Sequence, residues 1–236
     1  MSNKLLLYIK ESISNSGIYF LNGEIPVWSD DPLPEHISLS AVISKIEKII
    51  PVAYFRYIHA VKIGTYPEMI DRELNAMYKD GVLYISNLQA DEADMLDDIV
   101  HEIAHAVEEN NSELIYEDES ILIEFLGKRK RLYEILKNEG FDVTLEEFLH
   151  VKYNEEFDMF LFQEVGYALL NTLVNGLFPG PYSVTSINEY FATGFEKHYL
   201  NEFEKHYLNE GHKLQRICPK LMKKIYYLDE LANEYN

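Results

Sequence analysis

The hydrophobic pattern divides the chain into an N-terminal part with mixed strand and helix signals and a C-terminal part with mostly helical spacing. Apolar residues recur at helical intervals in residues 38–50, which predicts an amphipathic helix. Residues 53–64 and 81–87 are rich in aromatic and β-branched side chains and predict two strands, the second entered through an Asp-Gly turn. Residues 24–36 are rich in turn formers and are predicted to be an exposed connector.

Helical patterns dominate the rest of the chain. Residues 91–110 carry an apolar stripe behind an acidic first turn, as expected of a helix that begins there. Residues 112–176 predict three further helices, and Pro and Gly make residues 177–184 a loop. A final helical region begins near residue 186 and is predicted to break near Gly211. These elements predict an α+β fold that is predominantly helical, with a small mixed β-sheet.

The composition describes a folded, acidic protein. The 236 residues are 47% hydrophobic, which is enough for a sizeable core. Lys and Arg number 21 against 40 Asp and Glu, for a net charge of −19. This charge argues against nucleic-acid and anionic-membrane partners, which require a basic surface. The single cysteine excludes a disulfide framework and a multi-cysteine zinc site.

The N-terminal segment lacks the pattern of a secretory signal. Its apolar run is interrupted at Lys10 and is too short for the apolar region of a signal peptide. No stretch approaches the ~20 apolar residues of a membrane-spanning helix. The sequence therefore predicts synthesis in the cytoplasm, and signal-independent export stays open as an alternative.

The strongest chemical signal is "HEIAH" within the predicted helix at residues 91–110. His101 and His105 lie four positions apart, so a helix places both rings on one face, where they can bind one Zn²⁺ at ~2.0–2.1 Å. Glu102 lies beside them and can act as a general base toward the water that zinc activates. The motif therefore predicts a catalytic zinc site of a peptidase.

Two histidines supply only two of the three protein ligands of a catalytic zinc site. The metzincin pattern requires Gly and His at the third and sixth positions after the second motif histidine. Glu108 and Asn111 stand there instead, which excludes that class. A carboxylate is the other common ligand, and the candidates are Glu108, Glu109, Glu164 and Glu189. Glu189 also has a purely structural interpretation, because Ser186 and Glu189 match a capping box at a helix start.

Two segments, "HEIAHAVEE" and "YSVTSINEYFATGF", together resemble the anthrax lethal factor-like zinc peptidases, which include the clostridial Pro-Pro endopeptidases. The resemblance implies that Glu189, which opens a Glu-aromatic-Phe-Ala run, is the third zinc ligand. It also implies that Tyr182, seven residues before Glu189, directs its hydroxyl at the scissile carbonyl. Thr193 departs from lethal factor itself, which has a second acid just after this run.

The resemblance implies a zincin-type catalytic core over residues 71–236, with a helical elaboration at 112–176, whereas residues 1–70 carry no recognised motif. The expected activity is zinc-dependent hydrolysis of a peptide or protein substrate. By analogy with zincins, the predicted strand at 81–87 forms the cleft edge, where an extended substrate adds beside Val82, Leu83 and Tyr84. The alternative is an inactive or regulatory zinc-containing domain that binds a protein partner.

The octapeptide "FEKHYLNE" occurs twice in tandem, at residues 195–202 and 203–210. A single duplication inside a helix explains it, and it does not indicate a solenoid. Its histidines, His198 and His206, are predicted to be solvated surface residues, not metal ligands.

Overall fold

The structure is a computed structural model that describes residues 18–71, 74–203 and 208–234. The chain divides into two compact units. One contains Met1–Val107 and Ala232–Asn236, and the other contains Glu108–Leu231.

The first unit contains a five-stranded mixed sheet in the order β1-β2-β3-β5-β4. Its strands are β1 (Ile18–Leu21), β2 (Ile25–Ser29), β3 (Ala60–Ile63), β4 (Ala76–Lys79) and β5 (Val82–Ile85). The three central strands β2, β3 and β5 run parallel, and β1 and β4 pair antiparallel with their neighbours. Its helices are α1 (Leu39–Ile49), α2 (Pro67–Asp71) and the first part of α3 (Glu92–Tyr116).

The predicted helix at residues 38–50 is confirmed as α1. The Ser38 side chain accepts a hydrogen bond from the Ala41 N–H and caps the helix. Val42 and Ile46 are buried, as the apolar periodicity requires. The predicted strand at 81–87 is confirmed as β5, and its Asp80-Gly81 turn has positive φ at both residues, 51° and 81°.

Two predictions in this unit are wrong in part. Residues 24–36 are not only a connector, because β2 begins at Ile25; Asn22-Gly23 forms the tight turn before it, with φ of 52° and 73°. The predicted strand at 53–64 is confined to β3. Val52–Tyr57 instead form a 3₁₀ helix that buries Tyr54 and Phe55, so side-chain burial overrides the strand propensity of these residues.

The second unit is helical. Besides the end of α3, it contains α4 (Ser120–Asn138), α5 (Leu145–Leu149), α6 (Glu155–Met159), a π-helical turn (Phe160–Val165), α7 (Tyr167–Val174), a 3₁₀ turn (Tyr182–Val184), α8 (Ile187–Phe203), α9 (Leu208–Ile217) and most of α10 (Pro219–Glu234). Helix α4 packs against α5, α7 and α8. Three aromatic rings meet in this core, with Tyr190 centred 5.4 Å from Phe125 and 5.8 Å from Phe178.

The helical predictions for this part hold with two corrections. The third predicted helix of residues 112–176 is divided, because Gly166 adopts a φ of 78° that is incompatible with a continuous helix. The predicted break near Gly211 is wrong, since α9 includes Gly211. Among the described residues of this region, a break lies at Cys218, just before Pro219, whose fixed φ and missing N–H suit the first position of α10.

The mixed α and β content, with helices predominant and one small mixed sheet, agrees with the predicted α+β class. In the part of the chain that the structure describes, no helix is both long and apolar enough to cross a membrane.

Candidate metal centre

Helix α3 carries the His-Glu-His motif and is held by a cap at its start and by a buried apolar face. Asp91 accepts hydrogen bonds from the N–H groups of Ala93 and Asp94, at 2.8 and 3.0 Å, and so caps the helix start. The predicted apolar stripe is buried and comprises Leu96, Ile99, Val100, Ile103 and Val107. The helix is therefore anchored along the turns that carry the motif.

The structure brings His101, Glu102 and His105 together as predicted. One ligand atom from each lies within 4.8 Å of the others. The two imidazole rings are 5.0 Å apart between centroids and inclined at 76°. Glu102 is 6% exposed, whereas both histidines are half-buried.

This donor set fits zinc. Two tetrahedral ligands at ~2.0–2.1 Å from one ion lie about 3.3 Å apart, so small side-chain rotations would bring the imidazole nitrogens to ligating distance. Imidazole nitrogen is a common zinc donor, and the neighbouring carboxylate is available for proton transfer.

The loop between β5 and α3 is hydrogen-bonded to α3, the helix that carries the motif. The Gln89 side-chain amide donates to the Asp98 carboxylate at 2.9 Å and to the Ser86 carbonyl at 3.1 Å. Asp98 lies about one helical turn before the motif, so this bond ties the loop to the segment of α3 that leads into His101.

Tyr182 and Glu189 lie in the second unit, at the entry to α8. The Ser186 hydroxyl accepts the Glu189 N–H at 3.1 Å, which confirms the serine half of the predicted capping box. Burial, followed by the charge of Glu189, raises the pKa of Tyr182 well above its usual value. Tyr182 is thus a neutral phenol that feels the charge of Glu189, and its hydroxyl donates to no group among the described residues.

Two other tyrosines, Tyr153 and Tyr167, act electrostatically on Tyr182. The hydroxyls of Tyr153 and Tyr167 donate to the two oxygens of Asp158, at 3.0 and 2.9 Å. The Asp158 charge also raises the pKa of Tyr182, after burial and Glu189. The sequence pattern did not indicate Asp158 or Tyr167, because neither belongs to a motif with fixed spacing.

The other ligand candidates have different environments. Glu109 and Glu164 are exposed. Glu108 is 3% exposed, and one of its carboxylate oxygens accepts hydrogen bonds from the Tyr116 hydroxyl and from Asn188. Glu108 is thus a buried acceptor, and Glu109 and Glu164 are surface residues.

The expectation that a substrate strand adds beside Val82, Leu83 and Tyr84 is wrong. These residues form β5, which is hydrogen-bonded to β3 on one side and to β4 on the other. Strand addition requires backbone N–H and C=O groups that are not already paired, and those of β5 are bonded to β3 and β4. The end strands of the sheet, among the described residues, are β1 and β4.

The prediction that His198 is a solvated surface residue is also wrong. This residue is 5% exposed, and its Nε2 lies 3.2 Å from Asp229. The neighbouring Tyr199 hydroxyl donates to the other oxygen of the same carboxylate. The first copy of the repeat therefore joins α8 to α10 through buried polar contacts, and His206 lies outside the described residues.

Comparison with protein-family models, with curated proteins and with solved structures yields no significant match to this chain.

Proposed function

We propose that the protein is a zinc-dependent endopeptidase of the lethal factor-like, zincin type, with zinc held by His101, His105 and Glu189. The observation that carries the proposal is the cluster of His101, Glu102 and His105 on one face of α3, with ligand atoms within 4.8 Å. A structural zinc site has four protein ligands and does not need a general base beside the metal. Here Glu102 provides a buried carboxylate next to the two histidines, as a hydrolytic site requires.

Glu189 is the preferred third ligand. It is half-buried at the start of a helix and its charge acts on the neutral Tyr182, while Glu109 and Glu164 are exposed. Glu108 already accepts two hydrogen bonds on one oxygen. The capping role of this position is compatible with ligation, because the observed cap uses the Ser186 hydroxyl and the Glu189 backbone.

The bound zinc would supply Lewis acidity at the scissile carbonyl and lower the pKa of the attacking water. Glu102 takes a proton from this water as the new C–O bond forms. It then transfers that proton to the amine nitrogen as the C–N bond breaks. Tyr182 donates a hydrogen bond to the developing oxyanion, and its raised pKa keeps the phenol protonated for this task.

The first test is zinc stoichiometry by elemental analysis after reconstitution and dialysis. We expect about one zinc per chain in the wild type and none in His101→Ala or His105→Ala, because each variant removes one of only three protein ligands. Absence of zinc from the reconstituted wild type would refute the proposal.

The second test is digestion of a peptide library by the reconstituted protein, with cleavage sites identified by mass spectrometry. The matched control is Glu102→Gln, which preserves side-chain size and should retain zinc. We expect its turnover to fall by roughly 10²–10⁴, the usual contribution of a general base. Zinc binding without cleavage of any peptide would favour the non-catalytic zinc domain.

A further inference from the structure

Glu108 is a buried carboxylate about one helical turn beyond His105 on the same helix. It is 3% exposed, and its Oε1 accepts a hydrogen bond from the Asn188 side-chain amide at 2.7 Å. The same oxygen accepts a second bond from the Tyr116 hydroxyl. A buried carboxylate requires such donors, because its desolvation is otherwise strongly unfavourable.

The two donors to the Glu108 carboxylate lie in different helices. Tyr116 lies at the end of α3, beyond a kink at Asn111, where φ is −126° and ψ is 19°. Burial, followed by the charge of Glu108, raises the pKa of Tyr116 and keeps its hydroxyl a donor. Asn188 is 80 positions away in sequence, in the first turn of α8. Of these two hydrogen bonds, the one from Asn188 joins helix α3 to α8.

Asn188 immediately precedes Glu189, the proposed third ligand. Consecutive side chains leave a helix about 100° apart, so holding Asn188 against Glu108 sets the direction in which Glu189 leaves α8. The Ser186 cap holds the Glu189 backbone at the same point. Together these two contacts restrict both the position of the Glu189 backbone and the rotation of the first turn about the helix axis.

We infer that Glu108 is a positioning residue of the proposed metal site: through its hydrogen bond to Asn188 it fixes the direction in which Glu189, the proposed third ligand, leaves α8. This inference rests on the proposed function. Groups that orient metal ligands in this way typically contribute 10- to 100-fold to metal affinity.

The test measures zinc affinity by competition with a chromophoric chelator, together with the visible absorption spectrum of the Co²⁺-substituted protein. Asn188→Ala removes the donor from an exposed side chain and should weaken zinc binding by roughly 10- to 100-fold and alter the Co²⁺ spectrum. Asn188→Asp keeps the size but places a second carboxylate against Glu108, and should weaken binding at least as much.

Tyr116→Phe is the matched control, because it removes the other donor to the same oxygen and leaves Asn188 in place. It should lower the denaturant midpoint while zinc affinity stays within about threefold of wild type and the Co²⁺ spectrum is unchanged. A merely structural role for Glu108 predicts the opposite pattern, in which zinc affinity falls alike in Tyr116→Phe and Asn188→Ala.

Glu189→Gln distinguishes a failure of the positioning role from a failure of the ligand assignment. If Glu189→Gln weakens zinc binding and both Asn188 variants bind zinc as the wild type does, the positioning role is refuted and the ligand assignment stands. If Glu189→Gln leaves zinc affinity unchanged, the ligand assignment fails and the positioning role fails with it.

Discussion

Tyr190 and Tyr182 lie in the same segment, and we predict opposite effects for their replacement by phenylalanine. The Tyr190 hydroxyl is fully buried and donates to Glu124 at 2.9 Å. The same carboxylate accepts the N–H groups of Lys220 and Leu221 in the first turn of α10, at 2.9 and 3.2 Å. Glu124 thus joins α4, α8 and α10, and Tyr190 supplies the contact from α8.

Tyr190→Phe deletes one hydrogen bond to the Glu124 carboxylate and a weaker one shared with the Cys218 thiol, and it retains the buried ring. Hydrogen bonds to charged groups contribute about 1.5–3 kcal/mol. Glu124 is only half-buried and keeps its two backbone donors, so the loss should fall at the lower end, at about 1.5 kcal/mol. In a chain of this length, that corresponds to a melting temperature lower by roughly 3–6 °C. Zinc affinity should not change.

Tyr182→Phe is the matched comparison. Its hydroxyl has no acceptor among the described residues, so the unfolding free energy should stay within about 0.5 kcal/mol of wild type. Turnover should fall by roughly 10²–10³, the usual effect of losing one oxyanion donor.

Urea unfolding followed by circular dichroism, zinc titration and peptide hydrolysis would be measured for both variants. A Tyr190→Phe protein that unfolds at the wild-type midpoint would refute the structural role of its hydroxyl. A larger loss of stability in Tyr182→Phe than in Tyr190→Phe would contradict the distinction between the two residues.

Three further outcomes are expected. Glu189→Gln should weaken zinc binding strongly in a chelator competition while helical circular dichroism is retained, because the cap uses the Ser186 hydroxyl; unchanged affinity would exclude Glu189 as a ligand. Ser186→Ala should lower the unfolding free energy by about 1 kcal/mol in urea titrations and retain zinc; a wild-type midpoint would contradict the capping role. Burial raises the pKa of Cys218 to about 11, so at pH 8 its thiol should react with a disulfide reagent only as the protein unfolds; rapid labelling of the native protein would contradict this.

Features that depend on near neighbours in sequence were predictable. The helix at 38–50 follows from apolar spacing and a serine cap, and the juxtaposition of His101, Glu102 and His105 follows from the pitch of one helix. Turn chemistry likewise placed the Asp80-Gly81 hairpin. In each case, the interacting groups lie within about one turn of one another, so local geometry determines the outcome.

Features that depend on distant partners required the tertiary structure. Composition and alternation identify β5 as a strand, but only the strand order shows that it is paired on both sides and cannot accept a substrate strand. One sequence pattern describes Glu108 and Glu109 alike, yet one is buried against Asn188 and the other is exposed. Periodicity cannot tell the two glutamates apart, because one donor to Glu108, Asn188, lies 80 positions away and side-chain burial depends on which helices pack together.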